Sequence, residues 1–187
     1  MNNLTPGFTS PLEAQACFRA ILGAFSSPGT AVELPAALTP PPGLSAAAAA
    51  ALLTLADATT PIALPDAEAA RDWLVFHTGA HIVAPAEAMF CVARRRPALA
   101  SLPQGTAEAP EDGATLILDC DGRVGEAPFR LSGPGLAHPI IASLSLDAAF
   151  LPEWRAQTFT APRGVDILLC AGASVLALPR SLTIEEA

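Results

Sequence analysis

Two short stretches of this 187-residue chain, Leu116-Ile117-Leu118 and Ile167-Leu168-Leu169, are apolar at every position. A strand with one wet face alternates polar and apolar residues, so an uninterrupted run belongs to a central strand covered on both faces. Two such strands demand a sheet with a layer of other structure on each side. The intervening sequence supplies candidates for those layers. Ser10-Pro11-Leu12-Glu13 reads as a helix start, with an N-cap serine, proline at the first helical position and a glutamate placed to close a capping box. Cys17, Phe18, Ile21, Leu22 and Phe25 supply its apolar face, while Leu12, Ala16, Arg19 and Gly23 lie on another side. Ser26-Ser27-Pro28-Gly29 ends it.

The same reading predicts further helices over residues 45–56, 65–76 and 147–157. Strands are expected over residues 30–34, about four residues around Ile62, and over 88–93, 114–120, 129–132, 165–170 and 174–178. Residues 35–43 form a proline-rich connector too short to separate domains. Interleaved strands and helices predict an α/β fold, three layers in αβα order around a mixed sheet, as one domain over residues 1–187.

Composition removes several functional classes. Half of the chain is hydrophobic and 15% is charged, which excludes a disordered linker. All ten basic residues are arginine, and no lysine occurs. A phosphate-binding P-loop and a pyridoxal phosphate Schiff base both require a lysine amine, so neither operates here by its usual route. A net charge of −8 argues against nucleic-acid binding, which depends on a basic surface. The one basic run, Arg94-Arg95-Arg96, reads as a solvated turn or helix start rather than a phosphate clamp. The first residues lack the basic and apolar regions of a signal peptide, and the longest apolar stretch, residues 46–56, is too short to span a bilayer. A cytoplasmic, membrane-free location is expected.

The short motifs are weak. His77 and His81 stand four apart, a metal-binding spacing on a helix, but Gly79 lies between them and no third ligand follows, so no metal is expected. Gly133-Pro134-Gly135 lacks the third glycine of a dinucleotide loop and reads as a tight turn. Gly172-Ala173-Ser174-Val175-Leu176 lacks the closing glycine of a nucleophile elbow. Cys17, Cys91, Cys120 and Cys170 are dispersed in apolar segments and read as small buried hydrophobes rather than cluster ligands. Asp57, Glu111, Asp112, Asp119, Asp121 and Asp166 are available carboxylates whose convergence sequence does not fix, and Asp121-Gly122 is a hairpin-turn signal.

Taken in order, a set of segments resembles the PhnH subunit family of the bacterial carbon–phosphorus lyase system. They are Phe18-Arg19-Ala20-Ile21-Leu22 with Ser27-Pro28-Gly29, Leu52-Leu53-Thr54-Leu55-Ala56-Asp57 with Thr60-Pro61, and Phe76-His77-Thr78. Gly105-Thr106, Ala109-Pro110-Glu111, Gly113-Ala114-Thr115-Leu116-Ile117-Leu118 and Leu131-Ser132-Gly133-Pro134-Gly135 continue it. Gly164-Val165-Asp166 and Ala177-Leu178-Pro179-Arg180 complete it. The resemblance implies a fold like the large domain of pyridoxal-phosphate-dependent transferases, without that cofactor or any other. It implies an accessory subunit that is a homodimer when isolated and joins the G, I and J subunits. That assembly replaces the adenine of ATP with an alkylphosphonate, giving a ribose 1-alkylphosphonate 5-triphosphate. The dispersed cysteines exclude the radical iron–sulfur role of another subunit. Arg19, Asp57, His77 and Arg180 stand beside matched turns or element ends, which makes them candidates for contributing to a substrate site. Their alternative is structural, Asp57 capping a turn beside Thr60 and Arg180 flanking a strand end.

Overall fold

A computed structural model describes residues 4–120 and 127–187. Four α-helices lie among the described residues: α1 (Pro11–Ser26), α2 (Ala46–Leu55), α3 (Arg71–Thr78) and α4 (Phe150–Thr158). The strands are β1 (Val32–Glu33), β2 (Pro61–Ala63), β3 (His81–Ile82), β4 (Phe90–Ala93), β5 (Thr115–Asp119), β6 (Ala127–Ser132), β7 (Ile140–Leu144), β8 (Asp166–Ala171), β9 (Ser174–Leu178) and β10 (Thr183–Glu186). The fold is α/β with a mixed sheet.

Seven strands form the central sheet in the order β1-β9-β8-β5-β4-β2-β3. Its strands β3, β2, β4, β5 and β8 are parallel, and β9 runs against β8 and β1. The two continuous apolar runs occupy β5 and β8, side by side at the centre, with Leu116 opposite Ile167 and Leu118 opposite Leu169. Their side chains divide by parity. Ile117 and Leu168 enter the core beneath α1, α2 and α3, while Leu116, Leu118, Ile167 and Leu169 enter a second core on the other face.

The second face departs from the expected helical layer. It is covered by a three-stranded antiparallel sheet, β10-β6-β7, together with α4. Strands β3, β7 and β10 were outside the sequence expectation. The reason for β3 is length, two residues; β10 reads as an acidic tail, Thr-Ile-Glu-Glu. Its Ile184 is nonetheless buried opposite Leu131, and its glutamates face outward.

Local differences have local causes. The helix start at Ser10 makes no side-chain cap; Glu13 instead accepts hydrogen bonds from the backbone N–H (2.9 Å) and hydroxyl (2.6 Å) of Thr9, one residue earlier. The apolar face expected on α1 is corrected too. Cys17, Ile21 and Ala24 are buried, but Phe18 and Leu22 are about half exposed. Pro65-Asp66 precedes a 3-10 turn, Glu68–Ala70, and α3 starts only at Arg71. Residues 30–34 hold only the two-residue β1. Gly133-Pro134-Gly135 does form the turn between β6 and β7, with Gly133 at φ 131° and Gly135 at φ 87°, backbone that favours glycine.

Candidate functional site

In open α/β sheets ligands gather outside the carboxyl ends of the parallel strands, near the point where strand order reverses. Here that reversal falls at β2, flanked by β3 on one side and β4 on the other. Farther along the sheet, over the carboxyl ends of β4 and β5, lies a cavity of about 260 Å³ lined by Gly43, Leu44, Ser45, Arg94, Asp119, Cys120 and Gly172. These are the residues after β4, the end of β5, the turn after β8 and the start of α2.

The chemistry of that cavity follows from how α2 begins. A helix start leaves unpaired amides and a partial positive charge, so it attracts anions. Three groups of the protein already meet that demand. Asp119, 6% exposed, accepts the Ser45 N–H at 2.6 Å; the Gly172 carbonyl accepts Ala47 N–H at 2.8 Å; and the Ser45 hydroxyl oxygen accepts Ala48 N–H at 3.1 Å. Below it, the Asp66 carboxylate accepts the Arg94 and Arg95 amides at 3.2 Å each, fixing the chain as it leaves β4. A carboxylate of the fold thus meets the positive end of α2, where an anion is favoured. The start of a helix near residue 45 was legible, its serine cap was not, and Asp119 was legible only as one carboxylate among several.

The four sequence candidates stand apart from this cavity and from one another. Arg180 closes a pin between strand ends: its backbone N–H and Nε donate to Asp166 at 2.7 and 3.0 Å, and Nη1 donates to the Pro110 carbonyl at 2.7 Å. A Cβ on Gly113 would stand 2.4 Å from that Nη1 and 2.4 Å from the Gly164 carbonyl, so only glycine leaves room for the guanidinium. Asp57 is exposed, and its carboxylate accepts the Thr59 N–H (2.8 Å), the Thr59 hydroxyl (2.7 Å) and the Thr60 hydroxyl (3.1 Å). The Thr59 hydroxyl first, and the other donors after it, hold its pKa below the usual carboxylate value.

His77 ends α3 half-buried. Its Nε2 lies 3.1 Å from the Thr5 carbonyl, which also accepts the Trp73 indole N–H at 2.7 Å, and its ring meets Trp73 edge-on at 4.8 Å. His77 and Trp73 together fasten the segment that leads into α1. Gly79, at φ 72°, then terminates α3, so His81 belongs to β3 and the two histidines share no helical face. Among the described residues no three His, Cys, Asp or Glu side chains converge as metal ligands. Arg19 is exposed on α1 between Phe18 and the turn carrying Leu22.

Arg96 corrects the reading of the arginine run as solvated. Its side chain is 5% exposed, and Nε and Nη2 donate to Asp147 at 2.9 and 2.8 Å while Nη1 donates to Glu153 at 2.8 Å. Partners 51 and 57 residues away leave no local sequence signal. Cys17, Cys91 and Cys170 are buried and Cys120 is half-buried; burial first, then Asp66, pushes the Cys91 thiol up to about 11, which makes it a poor nucleophile. Asp121 and the Asp121-Gly122 turn lie outside the described residues.

Comparison with known proteins places this arrangement. A model of the family described as "Bacterial phosphonate metabolism protein (PhnH)" matches residues 6–185. A Rhizobium meliloti (strain 1021) protein named alpha-D-ribose 1-methylphosphonate 5-triphosphate synthase subunit PhnH is 36% identical, over 95% of this chain and 94% of its own length. A Stutzerimonas stutzeri protein provisionally named C-P lyase subunit protein HtxG is 34% identical, over 91% of this chain and 85% of its own. A family match over nearly the whole length, with two relatives above 30% identity, settles membership: this chain belongs to the PhnH family of bacterial phosphonate metabolism proteins.

Proposed function

We propose that the chain is an accessory subunit of the carbon–phosphorus lyase core complex in organophosphonate catabolism. There it assists the conversion of ATP and an alkylphosphonate into a ribose 1-alkylphosphonate 5-triphosphate. The observation that carries this reading is the start of α2: its first amides are bound by Asp119, Gly172 and Ser45, so the crevice offers an incoming phosphate few donors. No lysine is available, and Arg94, which lines the same crevice, is already engaged within the fold. The names of the two relatives, a synthase subunit and a C-P lyase subunit, support the same role.

On this reading the chain works as one 187-residue domain in the cytoplasm, homodimeric alone and joined to the G, I and J subunits in the assembly. No described helix is long and apolar enough to cross a membrane. Exposed Leu12, Phe18 and Leu22 on α1 and Phe76 on α3 supply apolar surface of the kind that subunit contacts cover. The central sheet, seven strands with one reversed inside a parallel set, is read as a transferase-type large domain that works without pyridoxal phosphate. The test is co-expression with the G, I and J subunits. The purified chain alone is expected to turn over neither ATP nor an alkylphosphonate and to co-purify with those subunits; failure to associate overturns the reading.

A second reading, that this subunit lends residues to the transfer site, has one favourable observation. Asp57, His77 and Arg180 are engaged within the fold, whereas Arg19 is exposed on α1. Calorimetry of the lone chain with ATP and an alkylphosphonate decides between them. Micromolar binding that is abolished by Arg19→Ala selects the second.

A further inference from the structure

The edges of a β-sheet present unpaired N–H and C=O groups, and proteins ordinarily protect them with charge, proline, a covering element or brevity. The edges here differ in that protection. At the ends of the central sheet, β1 and β3 are two residues each. In the small sheet β10 carries Glu185 and Glu186 and lies against α4. Its other edge, β7, is five residues long, Ile140-Ile141-Ala142-Ser143-Leu144, with neither a charge nor a proline.

Which groups β7 offers can be derived from its pairing with β6. The register sets Pro128 opposite Ser143, Phe129 opposite Ala142, Arg130 opposite Ile141 and Leu131 opposite Ile140. Opposed residues in an antiparallel pair alternate between exchanging both hydrogen bonds and exchanging none. Pro128 has no N–H to exchange, so its pair is of the second kind, and so is Arg130 with Ile141. The backbone groups of Ile141 and Ser143 therefore point away from β6, towards the open edge. No described backbone group outside the ladder bonds them. Their side chains are exposed as well, Ile141 at 62%.

We propose that β7 is a docking edge, on which an extended, neutral or basic segment of a partner subunit adds as a fourth strand of the small sheet. An added strand matches outward N–H and C=O groups at this spacing, and the apolar Ile141 offers the first side-chain contact. The net charge of −8 on this chain favours a segment without net negative charge. This inference rests on the proposed role as a subunit of the phosphonate assembly.

The experiment compares the wild-type chain with Ser143→Pro and Ile141→Lys after co-expression with the G, I and J subunits. Ser143→Pro removes an outward N–H that β6 does not use, at an exposed edge position that tolerates proline. Ile141→Lys places a charge on the edge without touching the backbone, so the pair remains informative if either variant folds poorly. In the wild-type complex the amides of Ile141 and Ser143 are expected to exchange with solvent at least about tenfold more slowly than in the free chain. Both variants are expected to lose co-purification. If the complex forms with unchanged exchange at these amides and both folded variants bind as well as wild type, the docking edge is wrong while the subunit role stands. If no complex forms with wild type, the subunit role itself fails. Self-association that Ser143→Pro abolishes would make a second copy the occupant and overturn the partner assignment.

Discussion

The two faces of the central sheet are held by different physics. Beneath α1, α2 and α3 the contact is close and apolar: five consecutive alanines of α2, Ala47 to Ala51, are essentially inaccessible, which lets a helix backbone approach the strands. The opposite face is built from segments far apart in sequence and fastened by polar pins. Trp154 donates to the Leu182 carbonyl at 2.9 Å, Gln157 exchanges hydrogen bonds with the backbone of Val165, and Arg96 and Arg180 close carboxylate pairs. The first face is specified mainly by volume, with a few pins at its margin where Trp73 and His77 meet Thr5 and Ser45 meets Asp119, and the second mainly by side-chain anchors. Volume changes should therefore break the helical side, and loss of an anchor or of charge should break the other.

The largest expected effect tests the pinned face. Trp154 is fully buried against Phe150 at 5.3 Å between ring centroids, so Trp154→Ala removes both an aromatic anchor and a satisfied N–H. Urea unfolding should show a loss of about 3–5 kcal/mol. On the helical face, Ala49→Leu adds volume where none is free and should cost about 2–3 kcal/mol; a cost near zero would mean that this face is not close-packed. Gly113→Ala probes a smaller pin. Its methyl would stand 2.4 Å from both the Arg180 Nη1 and the Gly164 carbonyl, so the loss should be about 2 kcal/mol, and a Gly113→Ala/Arg180→Ala double variant should recover only the side-chain part of it, the backbone clash remaining.

The same contrast explains what was legible in the sequence. Leu116-Ile117-Leu118 and Ile167-Leu168-Leu169 announce buried strands because the signal is local, and the helix over residues 45–56 is likewise read from one contiguous alanine- and leucine-rich run. The pinned face depends on pairs 28, 51 and 57 residues apart, which no periodicity records. On α1 apolar residues cover most of the circumference, so spacing alone does not choose between Ile21, buried, and Leu22, exposed. Little of the cavity was legible: a helix beginning near residue 45 could be read, but the carboxylate that meets its start is distinguished from its neighbours only by where β5 ends.

Acid separates the two faces most finely. Hydrogen bonds from Arg96 are the first cause that holds the pKa values of Asp147 and Glu153 below the usual carboxylate range. A depressed folded pKa means that the unfolded chain binds more protons, so the contribution is complete above the unfolded values, near about 4, and is lost as pH falls through the folded ones. Arg96→Met removes the cause while keeping much of the buried stem. At neutral pH it should cost roughly 2 kcal/mol, less than a fully buried pair because Asp147 is half exposed. The gap between wild type and variant should then narrow as pH drops below about 4, because wild type alone loses the paired charge. Glu13 and Asp57, whose pKa values are also lowered by local hydrogen bonds, titrate alike in both proteins and cancel in the difference. A gap that stays constant between neutral pH and about pH 3 would show that Arg96 stabilises this face by packing on Phe150 rather than by charge, and the division between the two faces would have to be drawn elsewhere.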